Sequence, residues 1–174
     1  MPEIISATNQ LVSNLTLGGQ IIIAVTLLAL AFRGKENGSI EFIQTHAMKI
    51  VLLISFGAIA VSLFYSNFIG FPPCTLCWWQ RVFMYPIFFL SAMAVVKRDN
   101  SIADYLLLLT LLGTLVAVQH VYLERGGTSI LPCDATTVSC SERFVYEYGY
   151  ITIPVMSLTG FLMIGTVLGI KKYS

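Results

Sequence analysis

The sequence predicts an all-α membrane protein, a four-helix transmembrane bundle with an additional N-terminal transmembrane helix. Three observations carry that expectation. The 174 residues are 56% hydrophobic and only 11% charged, with a mean hydropathy of +0.80, whereas a soluble domain carries about 25% charged residues. Four apolar runs, nearly free of charge, are each long enough to cross about 30 Å of hydrocarbon at roughly 20 residues per crossing, and a weaker run precedes them. Lys and Arg gather in the connections on one side of these runs. The net charge of +1 offers no basic surface for nucleic acid, and the chain holds no polar low-complexity tract that would keep it disordered.

The first run, Leu15 to Phe32, carries Gln20 and two glycines in its first third. Met1 to Asn14 contains no Lys or Arg, so the positively charged start of a secretory signal is missing and the run is expected to stay as a membrane helix. The second run, Ile50 to Phe71, is stopped by Pro72 and Pro73; the third is Trp78 to Val96, the fourth Tyr105 to Tyr122 and the fifth Ile151 to Ile170. Arg33, Lys35 and Lys49 precede the second run, Lys97 and Arg98 follow the third, and Lys171 and Lys172 follow the fifth. These positions share one side, expected to be the cytoplasm. The turn from Phe71 to Cys77 and the loop from Leu123 to Tyr150 then face outward, with only Arg125 and Arg143 between them. Residues 1–49 are expected to hold the extra helix and a cytoplasmic loop, and residues 50–174 the four-helix core. The Leu123 to Tyr150 loop is the long connection, with Gly126, Gly127, Pro132 and two cysteines, and loops of that length are more often functional than idle.

All four cysteines, Cys74, Cys77, Cys133 and Cys140, fall on the outward side, where disulfides persist. Cys74-Thr75-Leu76-Cys77 lies where a helix begins, so a thiolate there meets unpaired amides and the positive end of the helix dipole. A ring this small is readily opened, which favours exchange over permanent stapling. Cys133 and Cys140 enclose Asp134 to Ser139; taken alone, that pair reads as a loop staple. A four-Cys zinc site fits poorly, since the second spacing is longer than the usual Cys-x-x-Cys, and no metal is assigned.

Arg81 lies one helical turn below Cys77 on the same face. An arginine in an apolar run is costly and is a functional candidate for that reason. Its charge favours a thiolate at Cys77, and its donors suit a carbonyl oxygen of a lipid-soluble ligand. The competing reading is an anchor reaching the head groups beside Trp78 and Trp79. His120, at the outer end of the fourth run, is of the residue type suited to passing protons and is a candidate for that role, or else an interfacial side chain with a satisfied hydrogen bond.

On these residues the sequence resembles the DsbB/BdbC family of membrane thiol oxidases. The resemblance is carried by Pro73-Cys74-Thr75-Leu76-Cys77-Trp78-Trp79-Gln80-Arg81 with Phe83-Met84-Tyr85-Pro86. It extends to Gln119-His120-Val121-Tyr122-Leu123, the Cys133/Cys140 pair, and Ile151-Thr152-Ile153-Pro154-Val155-Met156-Ser157-Leu158. It implies a plasma-membrane, quinone-dependent oxidase that takes electrons from an extracytoplasmic DsbA-like thioredoxin-fold protein and passes them to ubiquinone or menaquinone. It further implies that Cys74 and Cys77 are the quinone-side pair, that Cys77, Arg81 and His120 lie at the quinone, and that Cys133 forms the mixed disulfide with the partner while Cys140 hands electrons on through Cys74. The first run has no counterpart in the family's four-helix pattern, and the close Cys133/Cys140 spacing is like that of the shorter members. Two rivals remain at this point: an enzyme similar to vitamin K epoxide reductase, in which the loop cysteines precede the Cys-x-x-Cys, and a non-enzymatic membrane protein with structural disulfides.

Overall fold

The computed structural model describes residues 2–33, 38–99, 101–128, 133 and 139–172. Lys35, Pro132 and residues 134–138 lie outside them. Among the described residues five helices follow one another: α1 (Pro2–Arg33), α2 (Gly38–Leu63) continued by a π-helical turn (Phe64–Ile69), α3 (Thr75–Lys97), α4 (Ala103–Glu124) and α5 (Ile153–Lys172). All five are long and apolar enough to cross a membrane. Among the described residues there is no strand, only an isolated bridge between Glu147 and Ile151. Helices are what the hydrophobic composition demands, because lipid offers backbone amides no partner outside their own segment.

The helices overrun the apolar stretches that announce them. α2 is continuous through residues 49 and 50, where the change in charge suggested a boundary. Its first turns are tied by helical contacts, Thr45 Oγ1 donating to the Glu41 carbonyl at 2.9 Å and the His46 ring stacking on Phe42 at 4.5 Å. The charges there mark the edge of the hydrocarbon, and the helix runs on beyond it. α1 likewise starts at Pro2, well before Leu15.

α2 packs on α3 and α5, and α4 packs on the same two, so α2 to α5 close into a four-helix bundle; α1 packs chiefly on α5. The core holds Met48, Val51, Ile87, Leu106, Ile164 and Leu168. In lipid the gain from such a core is close packing, since removal from water gives helices no advantage over lipid tails. Small hydroxyl residues let the helices approach, and each satisfies itself one turn back: Ser55 on the Val51 carbonyl (2.8 Å), Thr110 on Leu106 (2.7 Å) and Thr159 on Val155 (2.9 Å). At the end away from the cysteines, Lys172 Nζ meets Asp104 Oδ1 at 2.9 Å and joins the end of α5 to the start of α4.

Candidate active site

The site begins with a reversal of the chain. After the π-helical turn, Gly70 takes a left-handed φ of 89°, a conformation in which a side chain would be strained. Pro72 and Pro73 prevent further helix, and Cys74 in extended backbone caps α3, its Sγ accepting from the Cys77 amide at 3.4 Å. Cys74 and Cys77 are free thiols that hydrogen-bond to each other, Sγ to Sγ 3.0 Å.

His120 on α4 reaches this pair from the other side of the bundle. Its Nε2 lies 3.6 Å from Cys74 Sγ and 3.2 Å from the Cys140 carbonyl oxygen, and its Nδ1 lies 3.0 Å from Gln80 Nε2. Gln80 donates, so Nδ1 accepts and the ring hydrogen sits on Nε2; the tautomer is assigned from these bonds. That hydrogen is then shared between Cys74 sulfur and the Cys140 carbonyl. The Cys74 thiol is pushed down from an ordinary 9.0 to about 4, chiefly by the hydrogen bond with the Cys77 thiol and further by His120, against the opposing effect of burial.

Cys133 and Cys140 form a disulfide with a Cα–Cα separation of 6.4 Å. Cys140 is buried in one cluster with Cys74, Leu76 and Val116, while Cys133 is half-buried at its margin. The loop that carries Cys140 is pinned to the bundle. Arg143 Nη2 donates to the Glu124 carbonyl at 2.7 Å, Thr152 Oγ1 donates to the buried Glu124 carboxylate at 2.7 Å, and Phe144 stacks on Phe71 at 4.9 Å.

Arg81 is 8% exposed and turned toward α2. Its Nε donates to Ser62 Oγ (2.9 Å), and its Nη2 donates to the Ser62 carbonyl (2.9 Å) and Ser66 Oγ (3.0 Å). The Trp78 ring covers the guanidinium at 5.1 Å. These bonds use Nε and Nη2 and leave Nη1 for an acceptor oxygen. Cys77, Arg81 and His120 line one cavity of about 520 Å³, a size that holds a small-molecule ligand. Its other walls are mostly apolar side chains of α2 and α5. A flat, lipid-soluble molecule bearing a carbonyl oxygen fits these residues, with the guanidinium as its polar contact and a thiol beside it.

The two Sγ atoms and a His120 ring nitrogen lie within 4.8 Å of one another, a soft donor set. Tetrahedral zinc with bonds of about 2.3 Å would hold its sulfurs about 3.8 Å apart. At 3.0 Å the pair is closer than that and stands nearer to disulfide formation.

A family model described as Disulfide bond formation protein DsbB matches residues 44–170. The chain belongs to the DsbB family. Among its relatives, a probable disulfide formation protein of Oceanobacillus iheyensis is 39% identical, covering 68% of this chain and 85% of the relative. Disulfide bond formation protein C of Bacillus subtilis is 35% identical, covering 68% and 85%. Probable disulfide formation protein C 2 of Bacillus cereus is 31% identical, covering 71% and 89%. No solved structure matches the chain significantly. As a DsbB-family protein it is a multi-pass membrane protein of disulfide bond formation with a disulfide oxidoreductase role.

The structure brings together all six residues singled out in the sequence, and it adds others. Gln80 orients His120, Ser62 and Ser66 hold Arg81, and Glu124 anchors the Cys140 loop. A signal for the first three was present, since each is a polar residue inside an apolar run, where an unpaired group is costly.

Proposed function

We propose that this chain is a thiol:quinone oxidoreductase of the plasma membrane, with both cysteine pairs on the extracytoplasmic side. It reoxidises a DsbA-like thioredoxin-fold protein there and passes the electrons to ubiquinone or menaquinone. The observation that carries this reading is the packing of the Cys133–Cys140 disulfide, through its buried Cys140, against a free Cys74/Cys77 pair whose second member lines an apolar cavity with Arg81.

A partner thiolate attacks Cys133, the more accessible sulfur, and Cys140 leaves as a thiolate. The second partner thiol breaks the mixed disulfide, so the partner departs oxidised and Cys133 and Cys140 are left reduced. Cys140 then attacks Cys74 of the Cys74–Cys77 disulfide and releases Cys77 as a thiolate. Attack of Cys133 on Cys140 restores the loop disulfide and releases Cys74. The outcome is the arrangement in this structure, a loop disulfide beside a reduced pair. The Nε2 hydrogen of His120 stabilises the departing Cys74 thiolate, which makes it a better leaving group. Cys74 and Cys77 then give up two electrons as their sulfur–sulfur bond re-forms, and the two protons that the partner's thiols released complete the balance. A bound ubiquinone or menaquinone supplies the acceptor for these, and Arg81 Nη1 is the donor available to hold its oxygen.

The test replaces Cys140 with Ser in cells and seeks a mixed disulfide between Cys133 and a soluble partner, paired with anaerobic quinone reduction by purified protein and reduced partner. Capture of a thioredoxin-fold protein and partner-dependent quinol formation are expected. Absence of quinol formation with all four cysteines intact would overturn the reading.

A further inference from the structure

The family match begins at residue 44, so α1 lies wholly outside it. Yet α1 contributes to the cavity that holds Cys77 and Arg81: Val12, Leu15 and Thr16 line it. Val12 and Thr16 are buried, whereas Leu15 is 66% exposed, as is Leu53 of α2 at 71%. Both of these exposed residues line the cavity, and α1 leans on α5. The mouth therefore opens toward lipid between α1 and α2, with Leu15 and Leu53 as its two lips.

The outer half of α1 is fastened in place by polar side chains. Tyr65 of the π-helical turn donates to Asn9 Oδ1 at 3.0 Å, Tyr148 of the cysteine loop donates to Asn14 Oδ1, and Gln20 accepts from Tyr150 at 2.7 Å while donating to Thr159 Oγ1 at 3.1 Å. At Gly19 the approach to α5 is so close that a Cβ would come within 2.7 Å of Met163 Sδ. Beyond Gln20 the helix shows Ile21, Ile22, Val25 and Leu28 outward. The fastened part is the part that walls the cavity.

We infer that α1 adds a subsite for the apolar chain of the electron acceptor, formed by Val12, Leu15 and Thr16 against the mouth of the cavity. This rests on the thiol:quinone reading. The cavity is continuous from Arg81 to the lipid-facing mouth, so an acceptor with its polar ring at Arg81 directs its hydrocarbon chain past α1. A chain arriving from lipid gains nothing by leaving water, so the subsite acts through close contact.

The test compares two quinones with the same ring, one bearing a decyl chain and one a methyl group, in steady-state reduction by the purified protein with reduced partner in excess. In Val12→Ala/Leu15→Ala the apparent KM for the decyl quinone should rise about three- to tenfold, with kcat and the KM for the methyl quinone unchanged. Leu11→Ala, on an exposed face of α1 away from the cavity, should change neither. Leu15→Ala alone gives the same comparison if the double variant does not fold. An equal shift for both quinones, or no shift for either, overturns the subsite while leaving the oxidoreductase reading intact. Failure of the unaltered protein to reduce either quinone overturns both.

Discussion

His120 Nε2 lies 3.6 Å from Cys74 Sγ, which ties a residue near the end of α4 to the first residue of the Cys-x-x-Cys. The same nitrogen lies 3.2 Å from the Cys140 carbonyl, so a single imidazole edge spans the two cysteine pairs.

The first prediction concerns pH. The Cys74 thiol is depressed to about 4 by the Cys77 hydrogen bond and by His120. Its thiolate stabilises the reduced pair; that contribution is complete above the ordinary 9.0 and is lost as pH falls toward about 4. Ultraviolet thiolate absorbance of the reduced protein should therefore persist unchanged from pH 8 to pH 6 and fall only in acid. His120→Ala should move the midpoint upward. A midpoint near 8.5, that of an ordinary thiol, would contradict this.

Arg81 supplies the second. Loss of a charge-assisted hydrogen bond costs roughly 1.5 to 3 kcal/mol, or about one to two orders of magnitude in affinity. Arg81→Met should raise the apparent KM for quinone by that much. Arg81→Lys keeps the charge but loses the planar fork held by Ser62 and Ser66, and should fall between. An unchanged KM in purified Arg81→Met would return this residue to the role of membrane anchor.

Much of this was legible in the sequence because membrane spans and a Cys-x-x-Cys are local signals. The runs from Trp78 to Val96 and from Tyr105 to Tyr122 fall inside α3 and α4 with only a few residues added at each end. The start of α2 at Gly38 was not legible, because hydropathy measures the thickness of hydrocarbon and Glu41, His46 and Lys49 hide a helix that continues beyond it. The contacts of Gln80 and Ser62 were not legible, since their partners His120 and Arg81 lie 40 and 19 positions away. The role of α1 depended on Asn9, Asn14 and Gln20, whose tyrosine partners come together only when the helices pack.

Topology gives the third prediction. In cysteine-free variants, a single reporter thiol at Thr128, exposed at the cysteine end, should react with a membrane-impermeant reagent from outside. One at Ser101, exposed in the opposite connection, should react only after the membrane is opened. Labelling of Ser101 from outside would invert the orientation drawn from the Lys and Arg positions and place the cysteines in a reducing compartment.

The central claim is the division of labour between the two pairs, Cys74 and Cys77 facing the quinone and Cys133 and Cys140 facing the protein partner. Its most direct measurement takes fully reduced, purified Cys133→Ser/Cys140→Ser under anaerobic conditions, adds quinone as the sole oxidant, and follows quinol formation together with the remaining free thiols. The account predicts one quinol formed per disulfide gained between Cys74 and Cys77, and no reaction in Cys74→Ser/Cys77→Ser. Quinol formation in the second variant and none in the first would contradict it.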